Sequence, residues 1–452
     1  MKNTKLISLI SIAILLFAIF MLSACGEKPL NDSVGLQFEC FEDHCVLVGI
    51  GTCTDTEVVI PAEHNGLPVT EIDKYAFYGG NLITSVKIPD SVTSIGDRAF
   101  YEMTALKSVS IGNSVASIDG EAFAKCALLE SIVIPDSVKS IGNYAFSECS
   151  SLKYVTIGNS VTKLGNRIFY SCTNLIKVTI GDSLKTIPEE TFIGCGALLQ
   201  VTIGKSVTEI EEYAFSGCYT LVEVINKSSL NIVAGAYDNG GVAGNALQVI
   251  SDESQSNLEY VGDYIFYDDG INIYLVKYLG KDKEITLPNY KLFKEYEIYQ
   301  RAFEENDYIV SVTIPKHVTK IWYVAFSGCD SLESISIPNS VTSIESSAFS
   351  FCTSLKSVDI PTGISKIEQY LFDGCSALEN IVIPDSVTEI ERYAFRNCSA
   401  LKSITIPKNV TVMGNYVFYK CSSLTINCEI DQQPSGWDAK WNPSNCPVVW
   451  GK

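Results

Sequence analysis

The sequence predicts a repeat solenoid, with short parallel strands on a concave face, irregular or short helical segments on the convex face, and one β-rich interruption. The main observation is a phenylalanine every 23 residues, in one series from Phe77 to Phe215 and a second from Phe303 to Phe418. A unit this short cannot enclose a core of its own, so neighbouring units must stack and share one. A proline or glycine that ends the strand at the same place in each unit supports this fold.

Each repeat reads as a short strand, a turn, a second extended piece and a compact helical or turn segment that carries the phenylalanine. The unit that begins at Leu152 has apolar residues at Val155, Ile157 and Val161 before it reaches Phe169. Neither a helical nor a strict two-residue period spans the whole unit. Eleven complete copies are present, six before the interruption and five after it. Stacked in register, their first strands would form a parallel sheet with about 4.8 Å between neighbours.

The repeat consensus resembles a known bacterial family. Leu-x-x-Val-x-Ile-Pro-x-x-Val-x-x-Ile-x-x-x-Ala-Phe-x-x-Cys is similar to the 23-residue leucine-rich repeats of BspA-type (treponemal-type) surface proteins, over about residues 58–425. The resemblance implies a leucine-rich repeat solenoid on the cell surface. It also implies adhesion to host matrix proteins or to other cells, although a fold does not dictate a function.

Departures from the repeat divide the chain into seven segments. Phe215 and Phe303 are 88 residues apart, which is not a multiple of 23, so the register breaks between them. We predict a lipoprotein signal peptide at 1–24, a tether at 25–35, an N-terminal cap at 36–57, a first repeat array at 58–225, a non-consensus island at 226–302, a second repeat array at 303–425 and a C-terminal cap at 426–452.

The first residues have the form of a targeting signal. Lys2 and Lys5 precede an almost wholly apolar run, and Leu-Ser-Ala-Cys at residues 22–25 resembles a bacterial lipobox. We therefore expect lipidation of Cys25 and an extracytoplasmic lipoprotein anchored in the cell membrane. An uncleaved membrane anchor is the alternative, but the apolar run is short for a membrane span.

Charge restricts the classes of partner. The formal net charge is −19, and it becomes about −21 once the two lysines of the leader are removed. Nucleic-acid binding requires clusters of basic residues, and none stands out. An acidic surface opposes attachment to anionic lipids, so we expect membrane contact only through the N-terminal lipid. A protein or glycan ligand, bound by a monomer, is the expected partner.

Ten of the sixteen cysteines follow the repeat phenylalanine by three residues. We expect a buried column of free thiols, because side chains stacked one strand spacing apart exceed the Cβ separation of about 3.5–4.5 Å that a disulfide requires. These residues are Cys126, Cys149, Cys172, Cys195, Cys218, Cys329, Cys352, Cys375, Cys398 and Cys421.

The remaining cysteines lie near the two ends of the chain. Cys428 and Cys446 flank the tryptophan-containing tail and are a possible disulfide that would close the last coil. Cys40, Cys45 and Cys53, with His44, could in principle bind zinc, but their spacing lacks a paired Cys-x-x-Cys. A disulfide within this cap is favoured, and neither a metal nor a cofactor is expected.

Candidate functional residues indicate binding and not catalysis. None of the three histidines can be assigned as a base to a nucleophile, so an enzyme is not expected. The outward positions of the strands are candidate contacts, although any solvated strand would carry similar residues: Lys107, Glu130, Lys153, Tyr154, Lys177, Gln200, Glu333, Lys356, Asp359, Glu379 and Lys402.

The island supplies a second set of candidate contacts. Tyrosine offers a large contact area with a hydrogen-bonding tip, which suits recognition. The candidates are Tyr264, Tyr267, Tyr274 and Tyr278, and packing within a small β-subdomain is the alternative role for them. The predicted function is adhesion or macromolecular recognition at the bacterial cell surface. The alternative is an architectural envelope component without a dedicated ligand.

Overall fold

The computed structural model describes residues 32–292 and 294–452. The described residues form two compact units, which divide after Ser256. Each unit is a parallel β-solenoid, in which successive coils add strands to two separate ladders. The predicted leader and the lipidation site Cys25 lie outside the described residues.

Nineteen strands and two 3₁₀ helices make up the described part of the first unit. They are β1 (Gln37–Cys40), β2 (Cys45–Gly49), β3 (Glu57–Val59), β4 (Glu63–His64), β5 (Leu67–Ile72), β6 (Ser85–Lys87), β7 (Ser94–Ile95), β8 (Ser108–Ser110), β9 (Ser117–Ile118), β10 (Ser131–Ile134), β11 (Ser140–Ile141), β12 (Tyr154–Ile157), β13 (Lys163–Leu164), β14 (Lys177–Thr179), β15 (Thr186–Ile187), β16 (Gln200–Ile203), β17 (Glu209–Ile210), β18 (Glu223–Asn226) and β19 (Gln248–Ile250), with 3₁₀ helices at Asn239–Gly241 and Glu253–Gln255.

The described part of the second unit contains seventeen strands and one 3₁₀ helix. They are β20 (Leu258–Val261), β21 (Tyr264–Asp268), β22 (Ile273–Tyr278), β23 (Glu284–Thr286), β24 (Tyr296–Ile298), β25 (Ser311–Thr313), β26 (Val318–Ile321), β27 (Ser334–Ser336), β28 (Ser343–Ile344), β29 (Ser357–Asp359), β30 (Lys366–Ile367), β31 (Asn380–Val382), β32 (Glu389–Ile390), β33 (Ser403–Ile406), β34 (Val412–Met413), β35 (Thr425–Cys428) and β36 (Val448–Trp450), with the 3₁₀ helix at Tyr290–Leu292.

Strands of equivalent position in successive coils pair in parallel. In the first unit the first strand of each coil joins β3-β6-β8 or β10-β12-β14-β16-β18-β19, and the short second strands join β5-β7-β9-β11-β13 or β15-β17. The Cα partners are one repeat apart, as in Ser131 with Tyr154. The second unit has the same arrangement, with the first strands in β23-β25-β27-β29-β31 and β33-β35-β36. The predicted in-register stacking of strands is confirmed.

The repeat phenylalanines form a stacked column inside each unit. Ring centroids of consecutive phenylalanines lie 4.7–5.6 Å apart in the first unit and 4.7–5.8 Å apart in the second. In the second unit Tyr278 extends the column at one end, 5.5 Å from Phe303, and Trp441 extends it at the other, 6.0 Å from Phe418. Stacked coils therefore share one core per unit, as the sequence predicts.

Turns, and not helices, carry these phenylalanines. The residues two before and two after each phenylalanine adopt positive φ, as at Tyr144 (57°) and Glu148 (58°) around Phe146. A right-handed helix cannot pass through left-handed residues, so the short helical segments allowed by the sequence do not form at these positions. In the described part of the chain no helix has the length and apolarity that a membrane span requires.

Residues 226–302, predicted as a separate island, are divided between the two units after Ser256. β19 pairs with β18, so the first ladder of the first unit continues past residue 225. β23 pairs with β25, and β24 with β26, so the ladders of the second unit begin before residue 303. The antiparallel strands β20, β21 and β22 join this unit through β24. The interval between phenylalanines does not reveal these coils. The coil before Phe303 has Tyr278 at the phenylalanine position, and the coil after Phe215 has no aromatic residue there.

The cysteines follow the predictions except at the C-terminal end. All ten column cysteines are free and buried, and Cys40 and Cys45 form the disulfide expected within the N-terminal cap, which leaves Cys53 free. The predicted disulfide between Cys428 and Cys446 is wrong, since both residues are free. Cys446 directs its Sγ to the carbonyl oxygen of Cys421 (3.2 Å), whereas Cys428 lies on β35, which pairs with β36. Strand pairing and the packed tryptophans close this end instead.

Candidate interaction surface

The first strands of the second unit present small polar side chains on their outer side. In β27 the exposed Ser334 and Ser336 flank the buried Ile335, and β29 repeats the pattern around Val358. β25, β27, β29 and β31 pair in register, and β33 follows one repeat later in the sequence, so equivalent side chains form two columns. We call these outward positions the second-unit face: Ser311, Thr313, Ser334, Ser336, Ser357, Asp359, Asn380, Val382, Ser403 and Thr405.

Four predicted contact residues border this face as exposed ion pairs. Lys356 Nζ lies 2.6 Å from Glu333, and Lys402 Nζ lies 3.1 Å from Glu379, in each case across one repeat. Exposed pairs of this kind are weak, since water screens the charges. A ligand could therefore exchange partners with these residues at small cost. Asp359, the fifth predicted contact in this unit, lies on the face itself and is exposed.

The first unit brings the remaining predicted strand residues together in two adjacent columns. Lys107, Glu130 and Lys153 follow one another, with backbone hydrogen bonds from Glu130 N to Lys107 O (3.2 Å) and from Lys153 N to Glu130 O (2.8 Å). In the second column Tyr154 pairs with Lys177 in the register, and Lys177 pairs with Gln200. These six residues therefore lie next to one another in the structure.

Gln200 is not an exposed contact, and this prediction is wrong. Only 4% of the residue is exposed, and the next position of the column, Glu223, is fully buried. The cause is residues 251–256, which we call the strap and which lie over this part of the ladder. Gln200 donates from Nε2 to the Glu223 carboxylate and to Ser256 Oγ (3.5 Å).

The strap contacts the ladder through further polar groups. Glu253 forms an ion pair with Lys177, and Ser256 Oγ donates to Glu223 Oε2 at 2.7 Å. Gln248, on β19, donates from Nε2 to the other oxygen of Glu223. An open depression lies beside the strap, lined by Asn226, Gln248, Val249, Ile250, Ser251 and Gln255.

The tyrosines of the predicted island do not form one surface. Tyr267 and Tyr278 are 3% and 4% exposed, so the prediction that they contact a ligand is wrong for these two residues. Tyr264 and Tyr274 are half-buried, with ring centroids 4.9 Å from Tyr278 and 5.0 Å from Tyr299, respectively. Burial raises the pKa of the Tyr264 hydroxyl to about 12. The alternative role in packing accounts for Tyr267 and Tyr278.

A ladder of polar and aromatic residues, two positions before the repeat phenylalanine, was not predicted from the sequence. Arg98 donates from Nη1 to Tyr75 Oη (2.8 Å) in the preceding coil and from Nε to Glu121 (3.0 Å) in the following coil. Arg167 repeats this arrangement with Tyr144 and Glu190. Comparison of this single repeat position from residue 75 to residue 213 would have revealed the order Tyr-Arg-Glu-Tyr-Arg-Glu-Tyr.

In the last three repeat coils of the second unit the equivalent position is a tyrosine. Tyr370, Tyr393 and Tyr416 stack with centroid separations of 5.0 and 5.4 Å. The Arg396 guanidinium lies 5.1 Å from the centre of the Tyr393 ring and donates from Nε to Asp373 at 2.8 Å. Because these rings stack on one another, their faces are already occupied, and the ladder supports the coil more than it offers a platform for a ligand.

The thiols are chemically protected. Burial raises the pKa of Cys126 to about 12 and holds the pKa of Cys149 and Cys352 well above the ordinary value. The reactive form is the thiolate, so these residues are poor nucleophiles and poor metal ligands. Within residues 32–292 and 294–452, no group of three or more His, Cys, Asp or Glu residues is arranged to hold a metal ion.

Several solved structures that are similar to this chain are of bacterial leucine-rich repeat proteins. A leucine-rich cell surface protein from Faecalibacterium prausnitzii is 28% identical, with 92% of this chain and 98% of that chain covered and a TM-score of 0.39. A leucine-rich repeat protein of T. pallidum is 31% identical over 43% of this chain and 90% of its own, with a TM-score of 0.36. One from Bacteroides ovatus is 26% identical over 88% and 100%, with a TM-score of 0.39.

No curated protein sequence matches the chain significantly. The family description "BspA type Leucine rich repeat region" matches residues 70–135, 116–240 and 296–425, which together make up well over half of the chain. These residues include all thirteen repeat phenylalanines and most of the first strands. The chain therefore belongs to the BspA-type leucine-rich repeat family.

Proposed function

We propose that this protein is a lipid-anchored, extracytoplasmic repeat protein that recognises a protein or glycan and mediates adhesion at the bacterial cell surface. Proteins of the BspA type are cell-surface proteins, and leucine-rich repeat solenoids typically serve as non-catalytic scaffolds for interactions. The observation that carries the proposal is the second-unit face, where in-register strands display two columns of outward, mostly exposed side chains. Repetition makes this surface continuous over several coils.

A saturation-binding screen tests the recognition function. The mature protein, from residue 25 onward, is titrated against host matrix proteins, glycans and bacterial surface polymers. We expect saturable binding to at least one of them. A bulky cation at the centre of the face, in Ser357→Arg, should weaken that binding at least tenfold. Ser365→Arg is the matched control, since Ser365 is an exposed serine just before β30 and outside the face.

The outcomes separate the two functional classes. Saturable binding that falls in Ser357→Arg and is retained in Ser365→Arg supports recognition through the second-unit face. Absence of saturable binding across the whole panel supports an architectural envelope component. Equal affinities of both variants and the parent protein would place the contact elsewhere on the chain.

Anchoring is tested separately in cells that are fed a labelled fatty acid. We expect the label to be incorporated into the parent protein and lost in Cys25→Ala, because the thiol of Cys25 is the proposed attachment point. The variant should also leave the membrane fraction. Membrane retention of an unlabelled Cys25→Ala protein would favour the uncleaved anchor instead.

A further inference from the structure

Glu223 is an unusual residue for its position in the ladder. The equivalent side chains of earlier coils, Ser108 and Ser131, are exposed, as expected for the outer side of a strand. Glu223 is fully buried there, although it carries a carboxylate. Gln200, Gln248 and Ser256 all donate hydrogen bonds to it. Burial of a charged group is costly unless its acceptors are satisfied, so the covering chain is matched to this carboxylate.

The strap reaches the ladder from one turn of 3₁₀ helix, Glu253–Gln255. The Asp252 carboxylate caps this turn by accepting from Ser254 N (2.8 Å). Glu253 and Ser256, three residues apart, then meet Lys177 and Glu223, which lie two coils apart in the ladder. The strap therefore presents a carboxylate and a hydroxyl to complementary groups at matched spacing.

The attachment of the strap is polar throughout. None of the residues 251–256 is buried, so no apolar anchor holds the segment. The preceding strand β19 differs, because it pairs through its backbone with β18 from Gln248 to Ile250. The strap can therefore leave the ladder without breaking a strand pair.

We propose that Lys177, Gln200 and Glu223 form a docking surface for a short acidic peptide, and that the strap occupies this surface as an internal ligand. This inference rests on the proposed recognition function and specifies a partner class for the first unit. Lys177 selects a carboxylate, and Glu223 selects a hydroxyl donor three residues later in the peptide. An external peptide with this pattern competes with the strap for the same groups.

The test releases the strap without altering the surface beneath it. The variant is Glu253→Gln with Ser256→Ala, in the otherwise complete mature protein. The probe is a fluorescent synthetic peptide of residues 250–257, Ile-Ser-Asp-Glu-Ser-Gln-Ser-Asn. We expect the peptide to bind the variant at least tenfold more tightly than the parent protein, by fluorescence anisotropy. A control peptide with both substitutions should not bind.

Hydrogen exchange supplies a second measurement that does not depend on the peptide. We expect exchange in residues 251–256 to rise in the variant, with β16 and β18 still protected. Adding Lys177→Ala to the variant should remove the gain in peptide affinity. Equal peptide affinity for the parent and the variant, or unchanged affinity after Lys177→Ala, would overturn the inference. Neither result involves a surface partner, so the proposed function would still stand on its own test.

Discussion

The thiol of Cys352 donates a hydrogen bond to the carbonyl oxygen of Phe326, at 3.1 Å, and so links its coil to the preceding one. All ten column cysteines make the same bond to the phenylalanine 26 residues earlier, at 3.0–3.3 Å. The carbonyl oxygen of Phe326 also accepts from Cys329 N (3.3 Å), so the thiol is a second donor to it while filling a small apolar space. The cysteine column and the phenylalanine column are therefore one structural device.

Removal of a stacked ring should destabilise the second unit. Phe349 is fully buried between Phe326 and Phe372, with centroids 5.5 and 5.8 Å away. We expect Phe349→Ala to lower the free energy of unfolding by about 3–5 kcal/mol, because it leaves a cavity in the column. Urea denaturation measures the loss.

Phe351 provides the matched control for that substitution. It lies two residues further along the same coil and is 50% exposed. We expect Phe351→Ala to change the free energy of unfolding by less than about 1 kcal/mol. Similar losses for the two variants would contradict the stacked column.

The buried thiols should react only after unfolding. Thirteen cysteines are free in the described part of the chain, and twelve of them are buried. We expect a thiol reagent to label no more than Cys53 in the native protein. In denaturant without a reductant, all thirteen should react within minutes. Labelling of several thiols under native conditions would show that the coils open readily.

Stability should fall at alkaline pH through the same thiols. The pKa of Cys126 rises from about 9 to about 12 on folding, since burial disfavours the thiolate. Above pH 9 the unfolded chain loses this proton while the folded chain keeps it. The free energy of unfolding therefore decreases as the pH rises from 9 to 12, and the contribution is fully present below pH 9.

The measurement is urea denaturation at a series of pH values. We expect Cys126→Ala to be less stable than the parent protein at pH 8 but to lose less stability between pH 9 and pH 11, because one titrating thiol is gone. Identical pH slopes for the two proteins would show that Cys126 does not contribute to alkaline unfolding.

Loss of the ion pair between Arg396 and Asp373, on a turn of the second unit, should destabilise that unit. The Asp373 side chain is 2% exposed, and it accepts from Arg396 Nε (2.8 Å) and from Asn397 Nδ2 (3.1 Å). We expect Arg396→Met to lower the free energy of unfolding by about 2 kcal/mol, because a hydrogen bond to a buried charge is lost.

A double variant distinguishes loss of the pair from loss of the arginine side chain. In Arg396→Met with Asp373→Asn, no buried carboxylate is left without its cation. We therefore expect the double variant to be more stable than Arg396→Met alone, as judged by urea denaturation. If the two substitutions are simply additive, the pair does not couple as its geometry indicates.

The sequence by itself determined the repeat architecture and the state of most cysteines. The 23-residue interval specifies which side chains stack, because every coil must place its phenylalanine over the previous one to be buried at all. The same argument makes Cys352 a free, buried thiol, since its neighbours in the column are a full strand spacing away.

Only the tertiary structure decided which outward residues are available. Gln200 and Tyr154 occupy equivalent places in the repeat, but the strap buries one and leaves the other exposed. The sequence favours a surface role for Tyr278, whereas in the structure its ring extends the phenylalanine column beside Phe303. A repeat consensus gives each residue the average environment of its position. Burial of a particular side chain depends on segments that depart from the repeat and fold back over that side chain. No periodicity in the sequence encodes such a contact.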